Sequence, residues 1–159
     1  GVDYEEGFIQ IAKSKYSEPK FITGDIYNLE KIEGVFDLVV CFAVLQHISD
    51  LNTALKSIKS KLSKETHSKA LITTVNHNSI FYRNNLRSKF TNPKEKEKFN
   101  YNVLPKNEYE KSSKICGLKL TNYQYMYVMP RFLHPSLFFL KTFLPSSFSH
   151  HILMEMKHA

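Results

Sequence analysis

The chain has 159 residues, 42% hydrophobic and 23% charged, a balance that suits one globular domain with a sizeable core and excludes a low-complexity or disordered chain. Its 22 basic and 15 acidic residues leave a net charge of +7, which permits anionic partners, but much of the excess is lysine along helical stretches, where a solvated face is the commoner use. The 2 cysteines cannot build a disulfide framework, and the absence of a Gly-x-Ser-x-Gly elbow or a phosphate-binding Gly-Lys-Ser/Thr loop argues against hydrolase and nucleoside-triphosphatase chemistry.

Residues 4–16 read as a helix, with Phe8, Ala12 and Tyr16 at helical spacing and Ile9 and Ile11 beside them. Ser17-Glu18-Pro19 ends it, because the residue before a proline is pushed out of the helical region. A strand is expected at 20–24, a connector at 28–34 and a second strand at 38–42. In that strand the unbroken run Leu38-Val39-Val40-Cys41-Phe42 fits burial on both faces, as in a parallel sheet covered by helices. The chain then turns through Ala43-Val44-Leu45 to Gln46 and His47, just past the strand's carboxyl end, the edge where open α/β sheets bind ligands. Asp50 stands as an N-cap before a helix whose apolar face is Leu51, Ala54, Leu55, Ile58 and Leu62. Residues 63–68 form a polar turn before a strand at 70–76.

The second half is less regular. Residues 76–105 are polar and asparagine-rich, with a lysine-dense stretch at 93–98, and a connection this long is usually functional or structured in its own right. A helix at 106–115 is stopped by Gly117, followed by a strand at 118–129, a short aromatic helix at 136–144 and a last strand at 151–156. Cys41 in a buried strand and Cys116 at a helix end read as reduced, small apolar residues. The apolar stretch 132–144, broken by Pro135 and Lys141, is too short to span a bilayer. His67, His134, His150, His151 and His158 have neither paired i, i+4 spacing nor cysteine partners, so no metal site is expected.

Four segments in one order, with helical stretches between them, resemble the class I S-adenosylmethionine-dependent methyltransferases. GVDYEEGFIQIA at 1–12 is similar to the end of that family's second strand and the next helix, and FITGDI at 21–26 to its third strand. FDLVVCFAVLQHI at 36–48 is similar to its fourth strand and following loop, and ALITTVN at 70–76 to its fifth strand. The resemblance covers roughly the first half of the chain and implies an α/β, Rossmann-like methyltransferase sheet with an antiparallel last strand. The family's first strand, most of its second and the glycine-rich loop that holds the methionine end of the cofactor have no counterpart, because Gly1, Gly7, Gly24, Gly34 and Gly117 are dispersed. The expectation is therefore an incomplete sheet in an amino-terminally truncated methyltransferase, a fragment with little activity alone. The family's strand order, 3-2-1-4-5-7-6, would leave the strand at Phe21 cut off from the strand at Phe36.

The resemblance implies S-adenosyl-L-methionine as cofactor, bound by residues 1–76 of a single partial domain spanning 1–159. Asp3 would take the vicinal ribose hydroxyls, since an ionised carboxylate can accept from both. Tyr4 would line the adenine pocket, Phe8 would pack near adenine or anchor its helix, and Asp25 would accept from the adenine amino group beside the backbone N–H of Ile26. Cys41, Phe42 and Ala43 would face the methionine portion and the transferred methyl through backbone and shape. His47 is the expected acid–base group, able to take a proton near neutral pH, with a structural role linking the loop to the next helix equally open. Many family members carry two histidines here; Gln46 replaces one with an amide that can orient a substrate but cannot titrate. Asn76 and His77 would touch substrate or form a strand-end turn. Cys41-Phe42-Ala43-Val44 lacks the Asn/Asp-Pro-Pro-aromatic motif of base-modifying relatives, so nucleic acid is not the expected substrate. Segments 77–105 and 131–149, with Phe81, Tyr82, Phe90, Phe132, Phe138, Phe139 and Phe143, are the expected substrate lid and favour a small apolar or lipid-like acceptor. Residues 132–148 with their basic neighbours also suit an anionic membrane surface, and the alternative function is a non-catalytic domain binding a partner or such a surface. The expected location is cytoplasmic or membrane-peripheral.

Overall fold

The computed structural model describes residues 1–80, 102–126, 145–149 and 151–159. Two sheets organise them. In the smaller, β1 (Val2–Asp3) pairs in parallel with β2 (Ile22–Thr23), joined by helix α1 (Glu6–Lys15). In the larger, β3 (Leu38–Phe42) and β4 (Lys69–Val75) run parallel, connected through α2 (Leu51–Lys61). After α3 (Lys106–Ile115), β5 (Leu118–Met126) and β6 (His151–His158) complete the order β3-β4-β6-β5, with β6 antiparallel to both neighbours. No ladder joins β1 to β3, so the strand after Phe21 and the strand after Phe36 belong to separate sheets.

One face of the larger sheet carries the core. Leu51, Ala54, Leu55, Ile58 and Leu62 recur on one side of α2 and all are buried, meeting Ala70 and Ile72 of β4 and Ile152, Met154 and Met156 of β6. Removing the side chain of Leu55, which is fully buried, is expected to cost about 2–5 kcal/mol. The Asp50 carboxylate accepts from Thr53 N at 3.0 Å and from Thr53 Oγ1 at 2.6 Å, capping α2. Lys61, at the other end of α2, is buried and donates its ammonium to the carbonyls of Ile32 and Gly34. Gly117 follows α3 at φ +67, a left-handed conformation that suits glycine and stops the helix where the sequence predicts.

Two expectations are corrected. The run 38–42 is a strand, but only one of its faces is buried: Cys41 is inside, while Leu38, Val40 and Phe42 are 50%, 49% and 59% exposed. The cause is position, since β3 is the edge of its sheet and α2 and α3 cover the opposite face. The stripe Phe8, Ala12 and Tyr16 is likewise not the buried face of α1; Ile9 is its buried residue and Phe8 is 64% exposed, because α1 meets only two short strands. The connector expected at 28–34 overlaps a 3-10 turn, Ile26–Lys31, with Tyr27 and Leu29 packed against the core. The aromatic helix expected at 136–144 and the aromatics of 81–101 and 127–144 lie outside the described residues. No helix among the described residues is long and apolar enough to cross a membrane.

Candidate functional site

Parallel pairing gathers the sequence-predicted residues on strand carboxyl ends. In the smaller sheet Asp3 lies opposite Thr23, so Asp25, two residues on, follows the same edge as Asp3. Each carboxylate is held by a local turn: Asp3 Oδ1 accepts from Glu5 N at 2.9 Å, and Asp25 Oδ1 from Tyr27 N at 2.9 Å. Asp3 is exposed and Asp25 half-buried, and the second oxygen of each makes no hydrogen bond among the described residues. Tyr4, exposed, and Ile26, half-buried, sit beside them; Phe8, on α1, is largely exposed.

In the larger sheet the carboxyl end of β3 has an unusual backbone. Ala43 adopts φ +55, the one positive φ at a non-glycine residue among those described. An alanine there costs about 1–2 kcal/mol, so surrounding structure must enforce it. Ala43 N is held by Thr73, donating to its carbonyl at 3.1 Å and its Oγ1 at 3.1 Å. Cys41, just before, is buried, and its burial pushes the thiol up to about 12, so it contributes shape and carbonyl rather than a nucleophile. Phe42 points out of the uncovered face.

The loop beyond Ala43 separates its two polar side chains. His47 is exposed, whereas Gln46 is 4% exposed, with Oε1 accepting from Thr74 Oγ1 at 3.3 Å and Thr74 in turn accepting from Tyr109 OH at 3.4 Å. Gln46 is thus an internal strut and not the expected substrate-orienting amide. Asn76 forms the strand-end turn, the second of its two expected roles, with Asn78 N donating to its Oδ1 at 3.1 Å. It is 2% exposed, and its Nδ2 donates to Ser146 O at 2.8 Å, Ser149 O at 3.1 Å and Ser149 Oγ at 2.9 Å, so it ties the end of β4 to the chain before β6. In both cases packing turns the polar group towards buried partners, which a strand-end position alone does not reveal. His77 is exposed at the same end of β4, with Nδ1 3.2 Å from Asn78 Oδ1.

The two sheets meet at this edge through Tyr27. Its phenolic oxygen accepts from Ser49 N at 2.9 Å and Asp50 N at 3.1 Å, joining the turn after Asp25 to the loop after His47. Asn102 holds the same loop from the other side, donating its N–H to Gln46 O at 2.7 Å and Nδ2 to Ile48 O at 3.1 Å. Sequence reasoning missed both residues; Tyr27 stands two positions after Asp25, while Asn102 is separated from the loop by more than fifty residues and carries no local signal. A cavity of about 580 Å³ lies at the opposite edge, between Val35, Leu62 and His158, with Lys56 and Lys59 near the carboxyl ends of α2 and α3, where cations complement the helix dipoles. Among the described residues no group of three or more His, Cys, Asp or Glu converges as a metal site would need.

The groups present fit the adenosine half of a nucleoside-bearing cofactor: two carboxylates with spare acceptor capacity stand on adjacent strand ends. Residues 1–67, fewer than half of the chain, match the family model described as a methyltransferase domain. No curated protein matches the chain in sequence. Among solved structures, the chain is similar to magnesium protoporphyrin IX methyltransferase of Synechocystis PCC 6803 with bound SAH, at 13% identity and a TM-score of 0.66, over 100% of this chain and 63% of that one. It is similar to a SAM-dependent methyltransferase of Thermotoga maritima, at 16% identity and TM-score 0.71, over 100% and 72% of the two chains. A third, a SAM-dependent methyltransferase of Archaeoglobus fulgidus, has 14% identity and TM-score 0.68, over 99% and 74%. Identities this low establish the fold alone, and this chain spans 63% to 74% of the lengths of those proteins.

Proposed function

We propose, from a chain with the Rossmann-like fold of S-adenosylmethionine-dependent methyltransferases and their domain model over residues 1–67, that this protein transfers a methyl group from S-adenosylmethionine to a small-molecule acceptor. The observation that carries the reading is the pairing of β1 with β2, which sets Asp3 and Asp25 on one edge with an unengaged oxygen each. When bound, S-adenosylmethionine supplies a methyl group activated by its sulfonium.

The chain's own residues do the rest. Asp3 accepts the vicinal ribose hydroxyls, and Asp25 accepts the exocyclic adenine amino group, with Tyr4 and Ile26 beside the ring. The backbone at Ala43 faces the methionine portion, held in its left-handed turn by Thr73. His47 takes the proton released by an oxygen or nitrogen acceptor, as a positioned imidazole can. His47 and His77 stand past neighbouring strand ends, so the acceptor binds across β3 and β4. The named acceptor of one structural neighbour is a magnesium porphyrin; for this chain the aromatic content of 77–105 and 131–149 supports an apolar or lipid-like acceptor.

Calorimetric titration with S-adenosylhomocysteine tests the reading, using protein expressed from its whole reading frame. Binding is expected, and Asp25→Asn and Asp3→Asn should each weaken it about ten- to hundredfold, the loss that accompanies removal of a charged hydrogen-bond acceptor. Absence of binding, or equal affinity in both variants, would refute it.

A further inference from the structure

We propose that Tyr27 is a positioning residue that couples adenosine binding at Asp25 to the setting of His47; the inference rests on the functional reading above and adds a mechanical link within that site. The link is continuous in named atoms. Asp25 Oδ1 holds the backbone N–H of Tyr27 at 2.9 Å, and the same residue's phenolic oxygen accepts from Ser49 N at 2.9 Å and Asp50 N at 3.1 Å, with Ser49 Oγ at 3.3 Å. Asp50 caps α2 through Thr53, and Leu29 N donates to Ser57 Oγ at 2.8 Å, so the turn carrying Asp25 is fastened to α2 at two points along its length.

His47 lies two residues before Ser49 and is bracketed by Asn102, which holds the carbonyls of Gln46 and Ile48. Of the named contacts on segment 46–50, Tyr27 leads to Asp25, whereas Asn102 and the Gln46–Thr74 bond do not. A hydroxyl that merely satisfied N–H groups ahead of α2 would need no connection to a ligand-binding carboxylate. Here backbone and side chain of one residue engage the two halves of the site. A shift of the Asp25 turn when adenosine binds must move Tyr27, and with it the backbone next to His47.

Tyr27→Phe separates this from a purely structural role, because the variant keeps the backbone bond to Asp25 and the half-buried ring and loses only the acceptor oxygen. Adenosine is the probe, since it occupies the Asp3 and Asp25 end and lacks the methionine portion that would approach His47 directly. The readout is the His47 imidazole signal in a proton–carbon NMR spectrum, identified by its loss in His47→Gln. Adenosine should shift it in the parent protein. Tyr27→Phe should bind adenosine within about fivefold of the parent and lose most of that shift. Asn102→Ala should move the unliganded signal and retain the adenosine-dependent shift. If the parent binds adenosine without a His47 response, or Tyr27→Phe responds as the parent does, or Asn102→Ala loses the response instead, the coupling is overturned while the functional reading stands. Failure of the parent to bind adenosine or S-adenosylhomocysteine overturns both.

Discussion

Asn76 offers the sharpest test of how the strand ends are held. Its amide hydrogens serve Ser146 O, Ser149 O and Ser149 Oγ, while Oδ1 accepts from Asn78 N at 3.1 Å, so the orientation of the amide is fixed by acceptors on one side and a donor on the other. Asn76→Ala removes two hydrogens' worth of bonding and strands the acceptors of Ser149, which is fully buried. At about 1 kcal/mol for each bond and a further 1–3 kcal/mol for the stranded acceptor, the cost should be about 3–5 kcal/mol. Asn76→Asp is nearly isosteric yet places an acid against carbonyl oxygens, so the folded state takes it protonated and its folded pKa lies above the unfolded value of about 3.9. That penalty is absent below the unfolded pKa and grows as pH rises, reaching about 4 kcal/mol at pH 7 from about three pH units at about 1.4 kcal/mol each. Guanidinium unfolding followed by circular dichroism should therefore place Ala below the parent by an amount that does not depend on pH, with Asp comparable to Ala at pH 7 and more stable than Ala near pH 4. An Asp variant whose stability relative to Ala does not change between pH 7 and pH 4 would refute the assignment of Asn76 as a buried donor.

Three further outcomes follow from the same geometry. Ala43→Gly should stabilise the fold by about 0.5–1 kcal/mol, the relief of a left-handed alanine less the extra chain entropy of glycine, and a lower denaturation midpoint would contradict the backbone described. Burial holds the Cys41 thiol at about 12 and also raises that of Cys116, so a thiol-specific reagent at pH 8 should label neither quickly until denaturant is added; rapid native labelling in Cys116→Ser would show Cys41 to be accessible. Three carboxylates sit below their ordinary range: Asp37 through Ser63 and Ser68, Asp50 through Thr53, and Glu155 through Lys69 and Thr121. Their contribution is present above the unfolded pKa of about 4 and is lost as pH falls through the lower folded values, so denaturant midpoints should decline below about pH 4, and Glu155→Gln should flatten part of that decline.

Local chemistry was legible wherever it decided the outcome. Asp50 and the stripe Leu51, Ala54, Leu55, Ile58 and Leu62 specify α2, and Gly117 ends α3, because caps and helical spacing act within a few residues. The antiparallel last strand followed from the family order and is present as β6. Burial was read less well. An all-apolar run such as 38–42 looks the same at a sheet's edge as at its centre, and only the neighbour count separates the two. The polar strand-end residues were legible as positions but not as directions: His47 and His77 face out, while Gln46 and Asn76 turn inward to Thr74 and Ser149, partners supplied by distant segments. Tyr27 and Asn102 act through contacts spanning 22 and 54 positions, beyond what any local pattern encodes.

A crystal structure with S-adenosylhomocysteine tests the central claim most directly. The ribose hydroxyls should lie within hydrogen-bonding distance of Asp3 and the adenine amino group within that of Asp25, with the ligand sulfur towards Ala43. Adenosine bound elsewhere, or at this edge with neither carboxylate in contact, would contradict the account.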